Sequence, residues 1–394
     1  MKIAQVAPLF ESVPPRLYGG TERVVSNLTE ALVADGHDVT LFASGDSLTA
    51  ARLVACSGEA LRLNPRVKDP LPWQIIQIEQ VRRRAAEFDI IHFHIDLVQF
   101  PLLDRCEGRA LTTLHGRLDL PDLMPFYSLF GDTPLVSISA AQRRPMPPVH
   151  WLGTVPHGLP RDLLRFNPAP TGGYLAFLGR ISPEKRPDRA IEIAERAGLP
   201  LKIAAKVGAA DEPYWQEVIK PLIARSPRTE FLGEISEAEK QRFLGEAEAL
   251  LFPIDWPEPF GLVVIEAMAC GTPCIAFRAG SVPEVIEEGI SGCIVESVAA
   301  AVRAVERIAD LPRAAVRAAF EHRFTAERMA RDYLRLYALL RQESAAVLRP
   351  PVPVDGALRD EDGLRARALA PEIQAGSGGG PTIAIPLPNA PSAS

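Results

Sequence analysis

Short apolar runs along the chain alternate with stretches whose apolar positions recur every three or four residues. KIAQVA (2–7) reads as a buried strand. A Gly19-Gly20 loop follows, and then TERVVSNLTEALVADG, in which Val24, Val25, Leu28, Ala31 and Leu32 share one helical face. Gly36 ends that helix and HDVTLFA is the next strand. DIIHFHI (89–95), ALTTLH (110–115) and PLVSIS (134–139) are further short apolar strands. Strand and helix in alternation predict a parallel sheet covered by helices on both faces.

The pattern restarts near residue 172. YLAFLGR is a strand, Ser182 is an N-cap with Pro183 at the first helical position, and the helix runs to about Gly198. LKIAAKV is a strand. Ser236 and Glu239 form a capping-box pattern that opens a helix through Ala249. LLFPI, an apolar helix and PCIAF follow, and Thr325 caps a last helix, AERMARDYLRLYALLRQ. The chain is thus read as α/β, in two successive units joined through the Pro- and Gly-containing stretch LPRDLLRFNPAPTGG. Beyond about residue 346 the composition turns to Pro, Gly, Ser and Ala, and disorder is expected there.

A length of 394 residues suits two domains, and 47% hydrophobic with 23% charged residues suits a globular chain. The net charge of -6 leaves no basic footprint for nucleic acid. Five scattered cysteines without a CxxC pair point to a reducing compartment. MKIAQVAPLF has no signal-peptide pattern, and the longest apolar stretch (261–277) is broken by Glu266, Gly271 and Pro273. A cytoplasmic location is expected, with peripheral membrane contact left open.

The chemistry concentrates in DWPEPFGLVVIEAMACGTPCI (255–275). Gly261 stands near a helix start, where the N–H groups of Phe260, Gly261, Leu262 and Val263 face outward and suit phosphate. Glu258 precedes that end, and Glu266 sits among apolar neighbours, where a carboxylate needs a partner. Two acceptor-only groups flanking a phosphate site suit a nucleotide sugar. The plain alternative is a helix cap and a structural ion pair. In GRISPEKR, Arg180 ends a strand and Lys185 lies one turn into the next helix. Both stand at the carboxyl edge of a parallel sheet, placed to hold a diphosphate or simply solvated. LYGGTERVV offers close backbone approach at Gly19 and Gly20, or a plain tight turn. His92, His94 and Asp96 alternate on one strand face and read as a polar strand end lining the cleft rather than as a metal site. Cys270 and Cys274 read as small buried apolar groups.

Taken together, EPFGLVVIE followed by AMACGTPCIA, with GRISPEKR upstream, closely resembles the retaining glycosyltransferases of family 4. The resemblance covers roughly residues 1–345. It implies the GT-B fold: an acceptor-side Rossmann-like domain (1–165), a donor-side one (166–325), a helix crossing back (326–345) and a tail (346–394). It implies that Glu258 binds donor-sugar hydroxyls, Glu266 the ribose, and Arg180 and Lys185 the diphosphate, with backbone of Phe260, Gly261, Leu262 and Val263. Gly19 and Gly20 would approach the donor phosphate or the acceptor, the loop around Gly233 and Ile235 the base, and His115 in TLHG the reacting sugar.

The implied reaction needs no metal or other cofactor. It moves a hexose from a nucleoside-diphosphate sugar, with UDP-glucose the modal donor, to a carbohydrate, lipid or small-molecule acceptor. A phosphorylase-like or sugar-nucleotide-splitting enzyme and an inactive sugar-nucleotide sensor are the competing readings. Many relatives carry Asn where this chain has His157, an acidic residue at Leu159 or Pro160, and Gly at Lys206. These departures place the chain in a subgroup.

Overall fold

The computed structural model describes residues 1–347 apart from Tyr18, Leu63 and Glu107. The tail expected to be disordered lies outside the described residues from 348 onward, while residues 346 and 347 close the helix Ala326–Val347.

Seven strands make a first sheet: β1 (Lys2–Val6), β2 (Asp38–Ser44), β3 (Arg52–Ser57), β4 (Ile90–Phe93), β5 (Ala110–Thr113), β6 (Leu135–Ser137) and β7 (Trp151–Thr154). Their order is β3-β2-β1-β4-β5-β6-β7 and every pairing is parallel. Six strands make a second: β8 (Leu175–Ile181), β9 (Leu201–Val207), β10 (Thr229–Gly233), β11 (Ala249–Phe252), β12 (Cys274–Phe277) and β13 (Gly292–Val295). These run β10-β9-β8-β11-β12-β13, again all parallel.

The central strands are buried on both faces, which is why they read as continuous apolar runs; Ile3, Ala4, Gln5 and Val6 are all fully buried. Each sheet reverses its order between two neighbours, β1/β4 in the first and β8/β11 in the second. Crevices open at the carboxyl ends of such strands. The two crevices face each other across one cleft, the GT-B arrangement.

Two helices differ from the sequence expectation. The helix expected from Pro183 begins at Pro187, and residues 182–186 form a turn closed by the Lys185 N–H on the Ser182 carbonyl at 3.1 Å. Pro187 takes the first helical position and keeps Arg186 out of the helical region; Arg186 adopts φ 55°. The capping box at Ser236 and Glu239 is formed, but its helix is Glu237–Gly245, because Ala249 is already paired with Leu175 in the sheet.

The chain crosses between the halves twice, and the crossings are bonded together. Leu159 N–H donates to the Phe324 carbonyl at 2.9 Å, and Ala326 N–H to the Leu159 carbonyl at 2.8 Å. A side chain on Gly158 would meet the Thr325 carbonyl oxygen at 2.3 Å, so this approach requires glycine. Thr325 Oγ1 accepts from Arg328 N–H and starts the Ala326–Val347 helix. That helix packs Met329, Tyr333, Leu336, Tyr337 and Leu340 against Ile3, Leu28, Val136 and Val155 of the first half.

Candidate active site

The two halves enclose a cleft of about 580 Å³. On the second half its floor is built around Gly261, whose φ of 86° starts the helix Leu262–Ala269. The first N–H groups of a helix have no partner within it, so this end can accept an anion. Phe260, buried just before it, packs on His157 at 4.8 Å between ring centres. Phe260, Gly261, Leu262 and Val263 all line the cleft. Gly20 opens the helix Gly20–Ala34, and a side chain there would touch Leu262 Cδ1 at 3.5 Å. One at Gly19 would strike Pro15 Cβ at 2.7 Å. Gly20 is thus one place where the first half closely approaches the start of that helix.

Glu258 is buried and its carboxylate is held twice, by Lys185 Nζ and by Trp256 Nε1–H at 2.9 Å. Lys185 Nζ lies 4.9 Å from the Trp256 ring centre and 5.7 Å from that of Phe252, a favourable seat for a cation. Lys185 therefore reaches the site from the 182–186 turn, and not from a helix as the sequence suggested. Arg180, at the end of β8, is held by Glu184 and by Asp211 at 3.2 Å. Both expected phosphate ligands are thus already paired with carboxylates. Glu266 bonds Lys240 Nζ at 2.6 Å, Lys240 contacts Glu237 at 3.3 Å, and Glu237 pairs with Arg23 of the first half. Ile235 and Glu234 line the cleft; Gly233, with φ 72°, turns the chain just before them and is not among the lining residues.

His115 follows β5 and lines the opposite wall, stacked on His157 at 5.2 Å. Burial pushes the His115 imidazole down to about 3, and burial is also the main cause that holds His92, His94 and His157 well below the usual histidine range. In all four, burial favours the neutral ring. The strand end HFHID does not line the cleft as expected. His92 and His94 are fully buried behind its wall and bonded to other side chains, and Asp96 is exposed. Lys206 lines the cleft beside Arg180, its partner in strand register, and burial lowers its pKa.

Spacing in the sequence did not single out Lys240, nor the cluster of Glu11, Glu22 and Arg62 on the first half's wall, where Glu11 pairs with Arg62. Burial pushes the Glu22 carboxyl up to about 7. Among the described residues no three His, Cys, Asp or Glu side chains converge as metal ligands, the five cysteines are buried and unbridged, and no helix is long and apolar enough to cross a membrane.

Two family models match the chain in succession: Glycosyltransferase Family 4 over residues 18–160 and Glycosyl transferases group 1 over residues 163–323. Glycogen synthase of Mycobacterium tuberculosis is 25% identical over 374 residues, covering 81% of this chain and 89% of the relative. Sucrose-phosphate synthase from Thermosynechococcus elongatus superposes with a TM-score of 0.71 at 19% identity, over 88% of this chain and 99% of that one. Anabaena HepE, solved in complex with UDP-glucose, superposes with a TM-score of 0.60 at 18% identity, over 88% and 99%. The order of the two matched models follows the two sheets, and the chain is a family 4-type glycosyltransferase of the GT-B fold.

Proposed function

We propose that the protein transfers a hexose from a nucleoside-diphosphate sugar to a hydroxyl acceptor with retention of anomeric configuration and without a metal. One observation carries the reading. The phosphate-ready start of Leu262–Ala269, the carboxylates Glu258 and Glu266, and the cations Arg180 and Lys185 all face one cleft. The diphosphate sits at that helix start, within reach of Arg180 and Lys185. Glu266 takes the ribose hydroxyls, Ile235 and the backbone beside it the base, and Glu258 and His115 the sugar hydroxyls. UDP-glucose is the first donor to try, since a solved relative of this fold holds it.

In the reaction the bond from the sugar's anomeric carbon to the phosphate oxygen breaks. A bond to the acceptor oxygen forms on the same face, and the acceptor's proton passes to the leaving phosphate. Charge grows on that phosphate as it leaves, and Arg180, Lys185 and the helix start offset it. The acceptor enters along Glu11, Glu22 and Arg62 and is a carbohydrate, a lipid headgroup or a small molecule. A cytoplasmic setting, where sugar nucleotides are found, is part of this proposal.

The test is thermal stabilisation against UDP, GDP, ADP and dTDP sugars with the free nucleotides alongside. A shift confined to one nucleotide family identifies the donor. No shift with any of them in a folded sample removes the transferase reading of this cleft.

A further inference from the structure

Behind His115 the cleft wall continues into a buried chain of polar side chains that the proposed reaction does not use. His115 Nε2 lies 2.9 Å from His94 Nδ1, and His94 Nε2 lies 2.7 Å from Gln5 Oε1. Gln5 Nε2 donates to the Tyr337 hydroxyl at 3.1 Å. That hydroxyl is 2.8 Å from His92 Nδ1, and His92 Nε2 is 2.7 Å from Thr113 Oγ1. None of Gln5, His92, His94, Thr113 and Tyr337 is more than 1% exposed.

The direction of this chain follows from the amide, whose nitrogen only donates and whose oxygen only accepts. As it stands, both of its contacts are N–H···O bonds of ordinary length. Turned over, it would set two nitrogens 2.7 Å apart and stretch a hydroxyl-to-carbonyl bond to 3.1 Å, beyond the usual range. With Gln5 Oε1 accepting, His94 carries its proton on Nε2. The ring is neutral, so His94 Nδ1 is bare and accepts from His115 Nε2–H. His115 Nδ1 is then bare as well, and it is buried with no hydrogen-bond partner among the described residues.

We infer that Gln5 is a positioning residue: through His94 it fixes His115 as the Nε2–H tautomer and leaves Nδ1 as an acceptor for a hydroxyl of the donor sugar. Tyr337, from the returning helix, holds the other end of the amide. The inference rests on the proposed seat of the sugar at His115. A Gln5→Leu side chain offers His94 no acceptor. The His94 proton then moves to Nδ1, which donates to His115 Nε2 and leaves His115 with a proton on Nδ1, a donor where an acceptor was.

The test is a two-bond proton–nitrogen spectrum of the full chain labelled with nitrogen-15 histidine, with His115 assigned by its loss in His115→Asn. The wild type is expected to show an unprotonated Nδ1 at His115. Gln5→Leu is expected to show it protonated, and to bind UDP-glucose about five- to tenfold more weakly with UDP binding unchanged. A protonated Nδ1 in the wild type overturns the inference even if the variant fails to fold. So does a Gln5→Leu protein that keeps the tautomer, or one that weakens UDP and UDP-glucose alike. If wild-type protein does not bind UDP-glucose, the donor reading falls separately, and the wild-type spectrum still decides the tautomer.

Discussion

Lys240 Nζ and Glu266 Oε1 form an ion pair 2.6 Å apart in the floor of the cleft, each side chain 10% exposed or less. Lys240 comes from the Glu237–Gly245 helix and Glu266 from Leu262–Ala269, so the pair joins two helices of the second half. Lys240→Met leaves a buried carboxylate without a counter-charge. The expected result is a loss of ~3 kcal/mol in chemical denaturation, together with weaker UDP binding. Unchanged stability would mean that Glu266 finds another partner and is not held by Lys240.

Lys185 and Glu258 hold each other in the cleft that the start of Leu262–Ala269 also lines. Lys185→Ala and Glu258→Ala should each lower turnover of the nucleotide sugar by about a hundredfold or more, with cooperative unfolding retained. Full activity in both variants would remove them from the reaction and leave them a structural pair.

Arg23 and Glu237 pair across the cleft from opposite halves. Arg23→Ala unties that contact. The variant should scatter as a larger particle than the wild type and bind donor about two- to fivefold more weakly, the scale of one partly exposed ion pair. Saturating nucleotide sugar should compact both proteins, because the walls of the site belong to different domains. Identical small-angle scattering in all four samples would contradict a closing cleft.

The protein should lose stability as the pH falls from 8 to 5. A histidine whose pKa is lowered in the fold contributes stability above its unfolded value of 6.5, and loses it as the pH falls below that. His92, His94, His115 and His157 all act in this direction. Each adds up to about 1.4 kcal/mol per pH unit to the slope. Glu22, raised from 4.5 to about 7, has the opposite sign and loses stability as the pH rises between those values. Denaturant midpoints from pH 5 to 8 should therefore fall steeply below pH 6.5. Glu22→Gln should stabilise the protein at pH 8 by on the order of 2 kcal/mol.

The central strands of both sheets were legible in the sequence because burial on two faces makes them uniformly apolar. The four strands that the pattern missed, β3, β7, β10 and β13, are the four sheet edges. Three of them are largely half-exposed, with burial alternating or fading along the strand, so neither periodicity stands out. In the cleft, Glu258, Glu266, Arg180 and Lys185 stood out because each stands at an element's end or against an apolar background, whereas His115 was named only through the family resemblance. Lys240 was not, since it sits in an ordinary polar helix and gains its meaning only from a carboxylate 26 residues away. Gln5 was hidden for a related reason: within an apolar strand one amide looks incidental until its two hydrogen-bond partners are known.

The returning helix Ala326–Val347 also bears on how the protein is made. Tyr333, Tyr337 and Leu340 complete the apolar core of the first half. During synthesis the seven-stranded sheet emerges early, yet its groove stays unfilled until the whole second half has followed. Tyr337 also supplies the hydroxyl that accepts from Gln5. The first half thus reaches its finished core and its finished hydrogen-bond chain in one late step, after the second half has been made. A nascent chain stalled before residue 333 would carry an open apolar groove and an unanchored glutamine, a natural target for chaperones until the last helix docks.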